Sequence, residues 1–311
     1  MKHKIIVTGG AGFVGSHIVD ELLIKDYNVV VIDNLSTGSI QNIDTNKVKF
    51  YLANIASTSE INDIFVQEKP YCVIHCAAQV MLRKSISEPL LDATTNILGT
   101  INILEACRKH KVKHLIYTST GGARVGEPQY LPVDENHPIR PCSPYGISKH
   151  SAEHYVEMYG TLYNIDYKIF CFGNVYGPRD DPKFGRVTSL FINNIKNNKT
   201  PTIFGDGAQT RDFIYVKDIA KFITNSMFVK TDAKLFHLAN GEQISVNDLY
   251  ELIKKHTNTK IEPTHSPAIN GEVHDMKLDT SLVRKELNWK PLTSFDDGLK
   301  ETIDYFLCKK D

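Results

Sequence analysis

The sequence lacks a surplus of either charge and lacks any long apolar run, and each absence excludes a class of protein. Lys plus Arg number 36 and Asp plus Glu number 36 among 311 residues, whereas proteins that bind nucleic acid usually carry a basic surplus. No uninterrupted apolar segment reaches the roughly 18 residues that a membrane-spanning helix needs. The opening stretch, MKHKIIVTGG, reaches glycine too early to form the apolar core of a signal peptide. We therefore expect no nucleic-acid partner, no membrane partner and no secretory leader.

The six cysteines lack the spacings of zinc sites and of disulfide frameworks. No CxxC pair occurs, and most of the cysteines lie in or beside apolar stretches, where a thiol behaves as a small hydrophobic group. This usage favours a reducing compartment, so we expect a cytoplasmic protein. The segment from His150 to His154 matches the H-x-x-E-H zinc pattern, but no third ligand is evident, and we predict no metal site.

Strand and helix patterns alternate through the first half of the chain. Short apolar runs predict strands at 4–8, 28–32, 48–52, 71–76, 114–119 and 167–172. Helical spacing predicts helices at 14–25, 58–68, 92–110 and 145–163. Strands that alternate with helices imply an α/β fold with a doubly wound parallel sheet of the Rossmann type.

The rhythm changes after residue 174, where Gly, Pro and Asp cluster in two loops. Helices are predicted at 187–197, 217–228, 245–256, 280–287 and 295–307, and a strand at 234–238 could return to the main sheet. We expect residues 1–173 to form a dinucleotide-binding domain, with a later return near 213–240. Residues 174–311 are expected to form mainly a smaller, mixed α/β lobe, and the ligand cleft should lie between the two.

A glycine-rich loop follows the first predicted strand and opens the first predicted helix. Gly9, Gly12 and Gly15 would allow a tight turn, the approach of a pyrophosphate and close helix packing. Asp33 ends the next strand, where a carboxylate accepts hydrogen bonds from the adenosine ribose and repels a 2′-phosphate. The pattern therefore predicts NAD rather than NADP, the alternative being an ordinary glycine-rich turn.

A tyrosine and a lysine lie four residues apart at the start of a predicted helix. Tyr145 and Lys149 would share one helical face, and we expect the ammonium to lower the pKa of the phenol towards neutral pH. Thr120 ends a predicted strand and would point into the same cleft. These three residues suggest a general acid and base with its helpers, although an isolated Y-x-x-x-K pair could be a surface feature.

Together these segments resemble the extended short-chain dehydrogenase/reductase family, and within it the NAD-dependent nucleotide-sugar epimerases of the UDP-glucose 4-epimerase type. The resemblance covers nearly the whole chain. It is carried by TGGAGFVGSH (8–17), DNLSTG (33–38), HCAAQ (75–79), TSTGGA (118–123), YGISK (145–149), GNVYGPR (173–179), GDGAQTRDFIYVKDIA (205–220) and GEV (271–273). The segments at 173–179 and 205–220 are the most specific to nucleotide-sugar enzymes.

The resemblance implies roles for particular residues. Tyr145 would be the catalytic base, Lys149 its partner and a ribose ligand, and Thr120 the third catalytic residue. The NAD site would comprise Gly9, Gly12, Phe13, Val14, Gly15, Asp33, Asn34, Ser36, Gly38, Asn54, Ile55, Cys76, Ala77, Ala78 and Thr95, together with Tyr145 and Lys149. The substrate site would comprise Thr120, Asn174, Val187, Arg211 and Glu272. An Arg fork suits a diphosphate, but Arg211 could instead form an ion pair with Asp206 or Asp212.

The resemblance also implies a reaction, a substrate and an assembly. C4 of a UDP-sugar would be inverted through a transient 4-keto sugar, and the protein would be a homodimer. Rival readings are a 4,6-dehydratase, a decarboxylase or a 4-keto reductase of the same fold, or a non-catalytic NAD sensor. The sugar itself stays open among glucose, N-acetylglucosamine and a uronic acid.

The sequence departs from the family pattern at several positions. Gly121 and Gly122 stand where the dehydratases need an acidic pair, which counts against that reaction. Arg124 replaces an aliphatic residue, and Cys171 stands where many relatives carry an arginine. Ile269 begins a segment that lacks an expected diphosphate arginine.

Overall fold

The computed structural model describes residues 3–268 and 273–308. Its strands are β1 (Lys4–Thr8), β2 (Asn28–Asp33), β3 (Lys49–Leu52), β4 (Cys72–His75), β5 (His114–Thr120), β6 (Asp166–Phe172), β7 (Asn174–Tyr176), β8 (Thr202–Phe204), β9 (Thr210–Arg211), β10 (Phe213–Tyr215), β11 (Leu235–Leu238), β12 (Ile244–Ser245) and β13 (Thr264–Ser266). Its α-helices are α1 (Phe13–Ile24), α2 (Thr58–Glu68), α3 (Leu82–Ser87), α4 (Pro89–Ala93), α5 (Gly99–Lys109), α6 (Gly122–Val125), α7 (Pro144–Tyr163), α8 (Val187–Lys196), α9 (Val216–Ser226), α10 (Val246–Thr257), α11 (Ser281–Leu287) and α12 (Phe295–Cys308).

Seven strands form one parallel sheet in the order β11-β6-β5-β4-β1-β2-β3. The central strands are apolar on both faces because helices cover both sides, as expected of a parallel sheet. The strand order reverses between β1 and β4, which creates the crevice where such sheets bind ligands. The predicted doubly wound α/β fold is confirmed.

The two faces of the sheet have separate apolar cores. On one face, α1 and α9 pack side chains such as Ile18, Leu22 and Ile223 against the strands. On the other face, α2, α5 and α7 contribute Phe65 and Val156, among others. Full burial of such a side chain is worth roughly 1.5–3 kcal/mol, so the sheet is a rigid platform for the residues at its edge.

A third core lies in the C-terminal lobe, beneath short strand pairs. The pairs are β7 with β10, β9 with β12, and β8 with β13, and α8, α10 and α12 pack together beside them. The strand β11, by contrast, pairs with β6 and extends the main sheet. Within residues 3–268 and 273–308, no helix combines the length and the apolar composition that crossing a bilayer requires.

The long helix predicted at 92–110 is divided in the structure. It consists of α4, a π-helical stretch at Thr94–Leu98, and α5. Gly99 packs so closely on Ile55 that an added Cβ would lie 2.7 Å from the Ile55 side chain. The π-helical turn places Asn96 in a buried polar network described below, and π-bulges often mark functional sites.

Candidate active site

A cavity of about 940 Å³ opens at the carboxyl end of the sheet. Its walls come from the loop after β1, from the ends of β2, β4 and β5, and from the start of α7. The opposite wall comes from the C-terminal lobe, chiefly β8, β9 and α8. The cavity therefore lies at the switch point of the sheet, with the lobe closing over it.

The glycine loop is shaped by two close backbone contacts. Gly9 has a φ of +68°, and a Cβ added there would lie 2.7 Å from the Ala77 amide nitrogen. A Cβ added to Gly15 would lie 2.1 Å from the Gly9 carbonyl oxygen. Because these positions exclude side chains, the loop turns tightly and α1 begins at Phe13 with unpaired N–H groups beside the cavity. This cradle suits a pyrophosphate.

Asp33 lies at the end of β2 and supports the same loop. Its carboxylate accepts hydrogen bonds from the Ala11 amide at 3.0 Å and from the Leu35 amide at 2.8 Å. Burial raises the pKa of Asp33, and these backbone hydrogen bonds oppose the rise. Two carboxylate oxygens offer about four acceptor positions, so the group retains capacity for the hydroxyls of a ribose.

Most of the residues predicted for NAD binding line this cavity. They are Gly9, Gly12, Phe13, Val14, Gly15, Asp33, Asn34, Ser36, Ile55, Cys76, Ala77, Ala78, Thr95, Tyr145 and Lys149. Two others are not part of the lining: Gly38 packs on the backbone of Ala11, and the exposed Asn54 side chain accepts a hydrogen bond from the Ala56 amide at 3.0 Å.

Thr120, Tyr145 and Lys149 meet at one end of the cavity. Ser143 caps α7 by accepting the Gly146 amide at 3.2 Å, which fixes Tyr145 in the first helical turn. The Thr120 side chain acts on the Tyr145 phenol and lowers its pKa. The Lys149 Nζ atom lies one turn further along and donates to the Thr118 carbonyl at 2.7 Å.

The expected lowering of the Tyr145 pKa by Lys149 is wrong. Desolvation raises the pKa of Tyr145 to about 12, although the Arg186 charge and the Thr120 hydrogen bond lower it. The Lys149 ammonium instead lies 4.1 Å from the centre of the Tyr117 ring. Burial lowers the pKa of Lys149 itself to about 8. The Tyr145 phenol therefore carries its proton at neutral pH.

Behind the cavity lies a buried polar network that sequence reasoning missed. The Asn96 amide group donates to the Gln79 carbonyl at 3.0 Å, to Asp92 Oδ1 at 3.1 Å and to Ser148 Oγ at 3.1 Å. The Gln79 side chain also donates to Asp92 Oδ1 at 2.8 Å. Ser148 lies between Tyr145 and Lys149, so the network braces the catalytic turn of α7 against the loop after β4.

Thr120, which ends β5, is the predicted substrate residue on the main sheet. Asn174, Val187 and Arg211 all line the cavity, and Glu272 lies outside the described residues. The Arg211 guanidinium donates to the carbonyl oxygens of Thr210 at 2.8 Å and His274 at 2.9 Å, which orients it along β9.

Further basic side chains line the cavity without having been predicted. They are Arg83, Lys84, Arg179, Lys183 and Arg186. Arg186 is held by the buried carboxylate of Asp180 and lies 5.2 Å from the centre of the Phe13 ring. Concentrated positive charge favours anionic ligands such as diphosphates. In the sequence these residues were visible only as the basic content of two loops. Such content does not indicate which side chains point into a cavity.

The histidines that matched a zinc pattern are engaged with each other and with a glutamate. His150 Nδ1 lies 2.9 Å from Glu153 Oε2, and the Nε2 atoms of His150 and His154 lie 3.3 Å apart. Across the part of the chain that the structure describes, no cluster of three or more His, Cys, Asp or Glu side chains has the arrangement of a metal site.

Comparison with known proteins decides the family. A family model described as GDP-mannose 4,6 dehydratase matches residues 6–302. The chain belongs to this family. The resemblance to the nucleotide-sugar enzymes of the extended short-chain dehydrogenase/reductase family is thereby confirmed. Membership alone does not select one reaction, because related dehydratases and epimerases share the fold.

Several named proteins are similar to this chain over nearly its whole length. A protein of Methanocaldococcus jannaschii with a provisional UDP-glucose 4-epimerase name is 43% identical over 302 residues, covering 97% of each chain. The UDP-glucose 4-epimerase of Thermotoga maritima, solved with UDP-glucose, is 39% identical with a TM-score of 0.94, covering 97% of this chain and 98% of that one. The UDP-glucose 4-epimerase of Thermus thermophilus, solved with NAD, is 33% identical with a TM-score of 0.92 and the same coverages.

Proposed function

We propose that the protein is an NAD-dependent epimerase that inverts C4 of a UDP-sugar through a transient 4-keto intermediate. The observation that carries the proposal is the meeting of Thr120, Tyr145 and Lys149 at the junction of the glycine-loop cavity and the C-terminal lobe. The similarity to UDP-sugar 4-epimerases over nearly the whole chain supports the same reaction.

The residues of the cavity fit NAD. The cradle around Gly9 and Gly15 excludes side chains where a pyrophosphate would approach, and Asp33 has acceptor capacity for ribose hydroxyls. When bound, oxidised NAD would supply a hydride acceptor and a positive charge. We assign residues 1–173, with a return near 213–240, mainly to this cofactor, and residues 174–311 mainly to the nucleotide sugar.

Proton transfer falls to the residues of the chain. The Tyr145 phenolate oxygen would take the proton from the sugar 4-hydroxyl and later return it to the sugar oxygen. Thr120 would hold that sugar oxygen by a hydrogen bond. Lys149 would bind the ribose of the cofactor, and its ammonium would stabilise the Tyr145 phenolate. Asn174, Val187 and Arg211 would hold the nucleotide diphosphate, and Glu272 would contact the nucleotide ribose.

Close packing around the residues after Thr120 disfavours the dehydratase alternative. A Cβ on Gly121 would lie 2.4 Å from the Leu278 side chain, and one on Gly122 would lie 3.4 Å from Met276. These positions would carry the acidic pair of a dehydratase, and Gly121 has no room for even a methyl group without movement. Asp33 likewise disfavours a reductase that consumes NADPH.

The direct test is to incubate the purified protein with UDP-glucose, UDP-N-acetylglucosamine and UDP-glucuronate in ²H₂O, without added reductant. Proton NMR should show inversion at C4 of at least one sugar, with hydrogen retained at C4 because the same hydride returns. Denatured enzyme is the control. Deuterium at C5 or C6 would instead indicate a dehydratase, and the absence of inversion in every sugar would refute the proposal.

We also propose a homodimer in which α5 and α7 of two chains form a four-helix bundle. The support is a set of exposed apolar side chains on these neighbouring helices and the turn that precedes them. Leu98 is 54% exposed, Met158 42% and Leu162 64%. Monomeric proteins rarely expose large apolar patches, and a second copy of the same helices would cover these side chains with matching ones.

Charge placed on this face should convert the dimer to a monomer. The double variant Leu98→Glu/Met158→Glu should elute at half the native mass in size exclusion with light scattering, because two carboxylates would face their copies across the bundle. Ile24→Glu is the matched control, since Ile24 is 76% exposed on α1, and it should leave the mass unchanged. A monomeric native protein, or a dimeric double variant, would contradict the proposed interface.

We place the protein in the cytoplasm. The six cysteines are free of disulfides, and four of them are buried or partly buried. A chain that keeps six thiols reduced suits a reducing compartment.

A further inference from the structure

Two positions at which the sequence departs from the family pattern meet in space behind the catalytic turn. Arg124 lies in α6, and Cys171 lies on β6. The Arg124 Nη1 atom is 3.7 Å from the Cys171 sulfur. Both contact the carboxylate of Glu153, with Arg124 Nε at 3.2 Å and the Cys171 sulfur at 3.7 Å.

The Glu153 carboxylate ties together several elements of the site. It accepts a hydrogen bond from Ser119 Oγ at 2.5 Å and lies 2.9 Å from His150 Nδ1. Ser119 immediately precedes Thr120 at the end of β5. Glu153 also lies one helical turn after Lys149 on α7, on the same buried face. It therefore connects the strand that carries one catalytic residue with the helix that carries the other two.

The guanidinium of Arg124 is buried against the Glu153 carboxylate. Arg124 is 4% exposed and Glu153 is 3% exposed, so neither charge is screened by water. The remaining side-chain contact of Arg124 is with His237 Nε2 at 3.5 Å. His237 Nδ1 donates to the Val133 carbonyl at 3.0 Å, which leaves Nε2 as an acceptor. Burial lowers the pKa of His237 to about 4, so His237 adds no second positive charge.

Resting on the proposed function, we infer that Arg124 is a positioning residue for the Tyr145 and Lys149 pair. It holds the Glu153 carboxylate in place, and Glu153 in turn holds Ser119 next to Thr120 and presents its negative charge to Lys149, one helical turn earlier on α7. The guanidinium reaches the carboxylate from α6, whereas β6 offers only a neutral thiol at position 171.

The charge balance explains why the guanidinium matters. Burial would raise the pKa of Glu153, but the His150 hydrogen bond, the Arg124 charge and the Ser119 hydrogen bond together hold it below its usual range. Burial lowers the pKa of Lys149, and the Glu153 charge is the largest influence that opposes this. Glu153 is ionised at the pH where Lys149 titrates, so Arg124 acts by holding the carboxylate near Lys149. A carboxylate displaced from this place would let Lys149 release its proton at a lower pH.

Other titratable groups also face this pair. Around Lys149 these are His75 on β4, Tyr117 on β5, Cys76 after β4, Cys171 on β6, Asp92 on α4 and Tyr145 on α7. Around Glu153 they are Arg124 on α6, His150 on α7, Cys171 on β6, Tyr117 on β5 and His237 on β11. Among these, Arg124 is the group whose removal takes a permanent positive charge from the Glu153 carboxylate.

The test compares Arg124→Leu with two rescues. In Arg124→Leu, kcat for C4 inversion should fall about tenfold with little change in KM. The alkaline limb of its kcat–pH profile should move about one pH unit lower. Arg124→Lys should recover part of both effects. Arg124→Leu/Cys171→Arg should recover more, because it returns a guanidinium to Glu153 from β6. An alkaline limb that stays in place or moves higher would overturn the inference.

A second readout does not require turnover. NMR titration of Lys149 in protein labelled with ¹³C at lysine Cε should show its midpoint about one pH unit lower in Arg124→Leu than in the native protein. If Arg124→Leu does not fold, Glu153→Gln removes the charge at equal volume and should cause the same shift. An unchanged midpoint refutes the role of Arg124. Failure of the native protein to invert any UDP-sugar refutes the proposed function and leaves this measurement intact.

Discussion

Replacing Tyr145 by phenylalanine should lower kcat for C4 inversion by about 10²- to 10⁴-fold, the usual contribution of a positioned acid and base. The change removes one hydroxyl and leaves the ring in place at the start of α7, so the fold and the glycine loop are untouched. The variant should therefore still hold NAD. Turnover is measured by NMR of the UDP-sugar, and bound cofactor by chromatography after the protein is denatured.

The control for this variant lies on the same helix. Tyr163→Phe removes a hydroxyl from the far end of α7, where Tyr163 is 45% exposed, and it should leave kcat unchanged. Native turnover in Tyr145→Phe would reject the phenol as the proton carrier. Loss of bound NAD together with turnover would show that the residue supports the cofactor site rather than the proton transfer.

Replacing Asp33 by alanine should weaken NAD binding by about 10²-fold, since hydrogen bonds to a charged group contribute roughly 1.5–3 kcal/mol. The carboxylate also accepts the Ala11 and Leu35 amides, so part of the loss would come from a loosened loop. Isothermal titration with NAD and with NADP separates the two effects. A loosened loop weakens both cofactors alike, whereas loss of the carboxylate also relieves repulsion of the 2′-phosphate.

We therefore expect the preference for NAD over NADP to shrink in Asp33→Ala. Asp33→Asn is the matched control, because an amide keeps an acceptor for the loop while removing the charge. It should retain more NAD affinity than the alanine variant and show a similar gain towards NADP. Equal affinities of native and alanine variants for NAD would refute the ribose role of Asp33.

The parts of the site that could be predicted from sequence are those set by local patterns. The roles of Gly9 and Gly15 depend only on the turn between β1 and α1. The position of the Asp33 carboxylate at the end of β2 follows from the strand pattern. Tyr145 and Lys149 share a helical face because they are four residues apart. Each of these depends on contacts over a short stretch of chain, together with the known geometry of a parallel sheet.

The parts that could not be predicted depend on packing between distant segments. The Arg124–Glu153 pair joins α6 to α7, and the spacing of the two residues carries no periodic signal. The high pKa of Tyr145 arises from the walls of the whole cavity. The Lys149 ammonium contacts the Thr118 carbonyl and the Tyr117 ring. Both groups belong to β5, so the spacing of residues along α7 does not indicate these contacts.

The pairing of β11 with β6 has a consequence for how the protein is made. The sheet acquires its seventh strand only when residues 235–238 have left the ribosome, long after the segments for the other six have emerged. A nascent chain or a fragment ending near residue 173 would present the open backbone of β6, and such exposed edges recruit other chains into aggregates. The N-terminal half of the sheet therefore depends on a strand that is synthesised later. Dividing the gene near residue 173 should yield insoluble protein rather than a working cofactor domain.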